Sequence, residues 1–189
     1  MQIRQKKEHF TYADYCTWDD DRRWELIDGR AYLMAAPNTN HQRISTRLLR
    51  KFANHLDGKR CEVFHAAFDV RLNADKGDDT VVQPDLLVIC DPKKIDAKGC
   101  KGAPDLVIEI LSPSTAGHDM MRKFIKYTDA GVKEIWFVDP DTHDVKIFKQ
   151  RDGEYFVSMF GPTDKIVVSI LPGLTIDMAD IFEGIEGTD

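Results

Sequence analysis

The chain has 189 residues, of which 42% are hydrophobic and 31% are charged, and its formal net charge is −6. The composition is typical of a soluble globular protein, and the length suits one domain, 1–189, with an end at 184–189 that we expect to fray. No apolar run approaches the roughly 20 residues of a membrane-spanning helix, and the N-terminal MQIRQKKEHF lacks the apolar region of a signal peptide. The acidic total does not favour nucleic-acid binding, since domains with that function often carry a basic surface.

The four cysteines are scattered through the chain without any CxxC pair: Cys16, Cys61, Cys90 and Cys100. This spacing argues against a zinc knuckle or a disulfide framework and favours a reducing compartment. A cytoplasmic protein is the simplest interpretation.

The N-terminal part is predicted to contain a short helix over 11–19 and a hairpin over 24–36. WELI and AYLMA flank Asp28-Gly29, a dipeptide favoured in tight connections between strands. Thr39 and Gln42 then form a predicted capping box at the start of a helix.

The helix that follows Thr39 has apolar residues at 3- and 4-residue spacing and ends at Gly58. Arg43, Arg47 and Arg50 lie along another side, where they are either simply solvated or contact phosphate. His41, near the helix start, is a candidate for capping or for contacting phosphate. Most such charged stripes are solvated surface.

The rest of the chain alternates strand and helix patterns, which predicts a mixed α/β domain. The lysine-bearing segment between the two strands that begin with PDL, at 84 and at 104, is expected to be a solvated loop. A helix over about 118–130 is predicted to end at Gly131, a usual C-cap residue, and EIWFVDP is apolar on both faces, as a central strand requires. The predicted strands are 62–73, 84–90, 104–112, 134–140, 144–150, 154–160 and 165–171.

Two acids occur in the strand PDLVIEIL, but they cannot share one ion. Asp105 and Glu109 lie on the same face, since side chains alternate along a strand. Four residues of strand separate them by about 13 Å, whereas Mg²⁺ ligands lie about 2 Å from the ion.

Asp85, at the start of the preceding strand PDLLVIC, is the better partner for Glu109. If the two strands pair antiparallel about a loop centred near residue 97, positions 85 and 109 are opposite each other. Directly opposed side chains have Cβ atoms about 4.5–5.5 Å apart, a reasonable span for two carboxylates on one cation. The alternative is that Asp85 caps a strand start and Glu109 pairs with a lysine.

The acids and their surroundings resemble the PD-(D/E)XK nuclease superfamily, and more closely the Uma2 (DUF820) family of endonucleases. The similarity covers roughly 11–175 and rests on 84–140, with its EILSPST, GV, W and VDP elements, together with WELIDG at 24–29 and His41. The resemblance implies a restriction-endonuclease-like α/β core, with a central mixed sheet flanked by helices, an N-terminal hairpin and C-terminal strands.

The resemblance also implies roles for individual residues. Asp85 and Glu109 match the metal-binding acids, which would hold Mg²⁺ or Mn²⁺. Leu111 occupies the position of the superfamily lysine, and Lys123 on the following helix is its expected replacement, with Lys126 as the second choice. Glu25 matches a recurrent acid that would ligate metal or support the lysine; its alternative is an ordinary pairing with Arg22 or Arg23.

The function expected from these features is metal-dependent endonucleolytic cleavage of DNA, with RNA as an alternative substrate. His41, Arg43, Arg47 and Lys126 are candidate nucleic-acid contacts, and double-strand cleavage favours a homodimer without membrane association. Two other functions remain open. One is a non-catalytic nucleic-acid-binding or protein-interaction module, which Leu111 and the acidic total favour, and the other is a different metal-dependent phosphoesterase.

Overall fold

The computed structural model describes residues 8–112 and 116–186, without the side chains of 116–119. Four α-helices lie in these ranges: α1 (Tyr12–Tyr15), α2 (Thr39–Leu56), α3 (Ala116–Ala130) and α4 (Met178–Phe182). The strands are β1 (Trp24–Ile27), β2 (Arg30–Leu33), β3 (Glu62–His65), β4 (Val70–Arg71), β5 (Val81–Val82), β6 (Leu86–Ile89), β7 (Ile95–Asp96), β8 (Gly99–Lys101), β9 (Leu106–Ile110), β10 (Glu134–Val138), β11 (Val145–Arg151), β12 (Glu154–Phe160), β13 (Lys165–Val167) and β14 (Thr175–Asp177).

A six-stranded mixed sheet, in the order β12-β11-β10-β9-β6-β3, forms the centre of the protein. Strands β9 and β10 are parallel and their other neighbours are antiparallel. Strand β10 is buried along its whole length, so the prediction of a central strand at 134–140 is confirmed.

The two long helices cover opposite faces of this sheet. The apolar side of α2, with Ile44, Leu48 and Phe52, packs against one face, and α3 packs against the other through Phe124 and Tyr127. The predicted fold class, a mixed sheet flanked by helices, is confirmed. No helix in the described part of the chain combines the length and apolar character needed to cross a membrane.

A second six-stranded sheet, β2-β1-β5-β4-β8-β7, lies beside the central one. The predicted hairpin is confirmed as β1 and β2, and Asp28 and Gly29 both have positive φ in the turn, at 49° and 72°. The short link from β5 to β6 joins the two sheets, and it is occupied by Gln83, Pro84 and Asp85.

Several predicted boundaries were wrong because tertiary contacts interrupt the local patterns. The helix over 11–19 extends only over Tyr12–Tyr15, and the strand over 62–73 divides into β3 and β4, which join different sheets. The predicted solvated loop contains a 3-10 turn and strands β7 and β8, with Cys100 fully buried.

The remaining corrections concern helix starts and the C-terminal part. Asn38 caps α2, not Thr39, because the Asn38 side chain accepts a hydrogen bond from the His41 N–H at 2.8 Å. Only 165–167 of the predicted strand 165–171 is extended; it pairs with β14, which, like α4, was not predicted. The predicted end of α3 at Gly131 is confirmed. Pro113, the side chains of His118 and Asp119, and 187–189 lie outside the described residues.

The prediction of unpaired cysteines was wrong for two of the four. Cys61 and Cys90 form a disulfide, whereas Cys16 and Cys100 are free thiols. The pairing follows from register, because Glu62 lies opposite Ile89 in the β3–β6 pair and the next residues outward are the two cysteines. Sequence spacing alone does not reveal this proximity.

Candidate active site

A cleft of about 410 Å³ lies where the hairpin, the start of α2 and one end of the central sheet meet. Its lining includes the predicted site residues Glu25, Asp85, Glu109 and Lys123, together with His41. The polypeptide therefore brings side chains from β1, the β5–β6 link, β9, α2 and α3 to one place.

The strand register places Asp85 beside Glu109. Strands β6 and β9 are antiparallel, with Leu86 opposite Ile108 and Leu87 opposite Val107. The next pair outward is Asp85 and Glu109, so the register predicted from the sequence is confirmed. The Asp85 Oδ2 atom also accepts a hydrogen bond from the Ile110 N–H at 2.8 Å, which ties this carboxylate to the strand that carries Glu109.

The ammonium group of Lys123 lies between two buried carboxylates. Its Nζ is 2.9 Å from Glu25 Oε1 and 3.1 Å from Glu109 Oε2, and all three residues are less than 10% exposed. Glu25 pairs with this lysine and not with Arg22 or Arg23. Burial would lower the pKa of Lys123, but the charges of Glu109 and Glu25 raise it above its ordinary value.

Glu109 has a further partner that the sequence did not reveal. The Tyr127 hydroxyl donates to Glu109 Oε1 from one turn beyond Lys123 on α3. Burial raises the pKa of Glu109, Lys123 opposes this effect, and the charges of Asp85 and Glu25 raise it further, to about 8. The four-residue spacing of Lys123 and Tyr127 was the available signal, since it places both side chains on one helix face.

Gln83 is a second residue that sequence reasoning missed. Its backbone N–H donates to Glu25 Oε1 at 2.9 Å, and its side chain binds Arg23, Tyr15 and Asp69. The residue before Pro84 therefore positions Glu25, and the residue after Pro84 is Asp85. No local sequence pattern identifies such a role for a glutamine.

The donor set of the cleft suits a hard divalent cation. Lys123 contacts Glu25 and Glu109, Asp85 lies beside Glu109, and the crowding of these acids contributes to the raised pKa of Glu109. Carboxylate oxygens are the ligands that Mg²⁺ and Mn²⁺ prefer. Within 8–112 and 116–186, no group of three or more His, Cys, Asp or Glu side chains is arranged to hold a metal ion. Asp85 and Glu109 are the pair that could hold such an ion, with waters completing the ligand shell.

The other predicted site residues have different surroundings. His41 Nε2 is 3.1 Å from Asp85 Oδ2, inside the cleft. Arg47 donates to the carbonyl groups of Ile181 and Glu183, and Lys126 pairs with Asp28 at 2.7 Å. Arg43 is exposed and is not part of the cleft lining.

Asp105, the second acid of PDLVIEIL, has a structural pairing at the opposite end of β9 from Glu109. It is buried, pairs with Lys133 at 2.7 Å and accepts the Cys90 N–H at 2.8 Å. It is therefore separate from the cleft, as its distance along the strand predicted.

The fold and this cluster together define a restriction-endonuclease-like α/β protein. Residues 11–179 match the model of Uma2, described as "Putative restriction endonuclease", and the chain belongs to this family. The resemblance predicted from the sequence is therefore confirmed.

The chain is also similar to individual proteins. "Uncharacterized protein slr1290" of Synechocystis sp. is 28% identical over 176 residues, which cover 91% of this chain and 90% of the relative. A second Synechocystis protein, sll1609, is 26% identical over 145 residues, which cover 74% of this chain and 80% of the relative. The crystal structure of a "putative nuclease belonging to DUF820" from Anabaena variabilis has the same fold, with a TM-score of 0.75 and 19% identity over 92% of this chain and 97% of that one.

Proposed function

We propose that this protein is a metal-dependent endonuclease that hydrolyses phosphodiester bonds of DNA. Asp85 and Glu109 are the ligands of Mg²⁺ or Mn²⁺ in this proposal, and Lys123 assists from α3, with its ammonium group held by Glu25. The observation that carries the proposal is the contact of Lys123 with Glu109 at 3.1 Å beside Asp85. Lys123, which lies on α3, thus contacts Glu109. The strand that carries Glu109 has Leu111 at the position where the superfamily usually has its lysine.

The chemistry requires an activated water and stabilisation of negative charge. A bound Mg²⁺ or Mn²⁺ polarises the phosphoryl group and lowers the pKa of its water. The water oxygen forms a bond to phosphorus and gives up a proton to solvent, and the bond to the leaving oxygen breaks as that oxygen takes up a proton from solvent. Lys123 donates hydrogen bonds from its ammonium group, which orients the water or stabilises the developing charge on phosphoryl oxygens. Glu25 and Tyr127 keep Lys123 and Glu109 in place.

A nuclease panel tests this proposal. Single- and double-stranded DNA and RNA are incubated with purified protein in Mg²⁺, Mn²⁺ or EDTA, beside Asp85→Asn, Glu109→Ala and Glu109→Gln. The Gln variant is important because it removes the charge and keeps the side-chain volume next to buried Lys123. Glu154→Gln, a change at an exposed acid on β12, is the matched control.

We expect divalent-cation-dependent cleavage of DNA by the wild type and by Glu154→Gln, and loss of at least about 100-fold of this activity in the Asp85 and Glu109 variants. Cleavage that persists in both variants would contradict the proposal. Calorimetry with Mn²⁺ distinguishes the alternatives. DNA binding with neither cleavage nor Mn²⁺ binding favours a non-catalytic module. Turnover of small phosphodiesters but not of DNA or RNA favours a different phosphoesterase.

We also propose that the protein acts as a homodimer. Two copies related by a two-fold axis would present matching sites to the two strands of a DNA duplex. Light scattering during size-exclusion chromatography measures the mass directly. Cleavage of both strands of a DNA duplex by a protein that stays monomeric would contradict the dimer.

A further inference from the structure

His41 lies in the first turn of α2, and its ring reaches the carboxylate of Asp85. The Nε2–Oδ2 distance is 3.1 Å, and the two side chains are only 13% and 16% exposed. The side chain of Asn38, the N-cap of α2, accepts a hydrogen bond from the backbone N–H of His41 and so fixes the position of His41 in the first turn. The cap at the start of α2 therefore helps to position the His41 ring beside Asp85.

Two groups contact the same oxygen of Asp85. The Ile110 N–H donates to Oδ2 at 2.8 Å, and His41 Nε2 contacts Oδ2 from α2. In the described part of the chain, neither of these groups nor any other donor contacts Oδ1. A carboxylate held through one oxygen by a hydrogen bond and an ion-pair contact cannot rotate freely, so it presents its other oxygen in a defined direction.

The other ring nitrogen of His41 argues against a purely structural role. Nδ1 is buried and has no hydrogen-bond partner among the described residues. Leaving a polar atom buried and unpaired costs stability, and the contact that this ring makes is the one to Asp85.

We infer that His41 is a positioning residue that holds Asp85 with Oδ1 directed to the divalent cation. This inference rests on the proposed function, because it assigns a role to His41 relative to that cation. It replaces the expectation that His41 contacts nucleic acid directly. Residues behind metal ligands commonly set ligand orientation, and their loss weakens metal affinity by about 10- to 100-fold.

The test is Mn²⁺ affinity measured by calorimetry, without substrate, for the wild type, His41→Ala, His41→Asn and His41→Gln. The amide N–H of Gln extends about as far as Nε2, whereas that of Asn ends near the position of Nδ1. We expect binding that is weaker by about 10- to 100-fold for Ala and Asn and close to wild type for Gln. Thr46→Ala, a change at an exposed residue of α2 outside the cleft lining, should bind like the wild type.

The outcomes separate this inference from the proposed function. If the wild type does not bind Mn²⁺, both are overturned. If the wild type binds and His41→Ala binds equally well, or if folded His41→Gln is as weak as His41→Asn, the inference alone is overturned. Thermal unfolding without metal verifies that each variant is folded, and the Asn and Gln pair decides the question if the Ala variant does not fold.

Discussion

Lys123 and Lys126 are three residues apart on α3, but their environments are different. Lys123 is buried between two carboxylates, whereas Lys126 pairs with Asp28, whose side chain is 64% exposed. An exposed pair of that kind contributes little. Lys123 and Lys126, the first and second choices from the sequence for the functional lysine, thus have different surroundings in the structure.

We expect Lys123→Met to reduce DNA cleavage by at least about 100-fold, because it removes the only ammonium group beside Glu109 among the described residues. Lys126→Met should stay within a few-fold of the wild type. Methionine keeps most of the aliphatic length of lysine, which limits the loss of packing. Initial cleavage rates at saturating Mn²⁺ measure the effect. The opposite ranking of the two variants would identify Lys126 as the functional lysine.

Asp105 should contribute stability and not activity. Burial would raise the pKa of Asp105, but the hydrogen bonds from Lys133 and the Cys90 N–H lower it below the ordinary value of 3.8. A depressed folded-state pKa stabilises the protein above the unfolded value and loses this effect as the pH falls through the folded one. We expect Asp105→Asn to reduce the free energy of unfolding by about 1–3 kcal/mol at pH 7 and by progressively less below pH 3.8.

Urea unfolding of Asp105→Asn and the wild type across this pH range measures that difference. Lys133→Met is the matched variant, since it removes the same ion pair from the exposed side. A difference that is constant with pH would mean that the charge of Asp105 is not responsible. Loss of cleavage in a folded Asp105→Asn protein would place Asp105 in the functional site after all.

At the scale of elements, the antiparallel pairing of β6 with β9 was predictable from the sequence, but the elements that pack around this pair were not. The register of Asp85 and Glu109 followed from the symmetric loop between two similar strands. The contacts of Glu25 with Lys123 and with the Gln83 N–H join elements far apart in sequence. Periodicity determines which face a residue occupies, but it does not determine which distant element covers that face.

The disulfide stabilises the edge strand β3 by linking its start to the end of β6. Its cysteines are 29 positions apart, and closing a loop of that length is worth about 3–4 kcal/mol in the chain-entropy description. We expect reduction, or Cys61→Ser with Cys90→Ser, to lower the free energy of unfolding by this amount. Urea titrations with and without reductant measure it. Cys16→Ser is the control, and equal midpoints in both conditions would contradict the pairing.

At the scale of the whole molecule, the acidic charge predicts that any binding of DNA depends on a bound cation. The net charge is −6, and three carboxylates line the cleft that would receive a phosphate. Phosphate is repelled by such a surface unless a cation compensates the charge. Near the second sheet, Lys94 donates to the Ala103 carbonyl and Lys101 pairs with Asp96.

We therefore expect weak DNA binding in EDTA and at least about 10-fold tighter binding when Mg²⁺ is added, because the cation offsets the carboxylates. Fluorescence anisotropy with a labelled, cleavage-resistant phosphorothioate duplex measures this difference at constant ionic strength. Asp85→Asn should lose most of the Mg²⁺ effect, whereas Glu154→Gln should keep it. Equal affinity in EDTA and Mg²⁺ would show that phosphate binds elsewhere on the protein.

The sequence by itself determined the α/β class, the hairpin at Asp28-Gly29 and the central strand, because these depend on local periodicity and turn chemistry. It paired Asp85 with Glu109 only through an assumed symmetric register and the family resemblance. The tertiary structure decided the rest. It divided 62–73 between two sheets, joined Cys61 to Cys90, and placed Tyr127, Gln83 and His41 around the acids. These contacts depend on how separate elements pack, and packing is set by the shape and burial of whole surfaces that no local pattern contains.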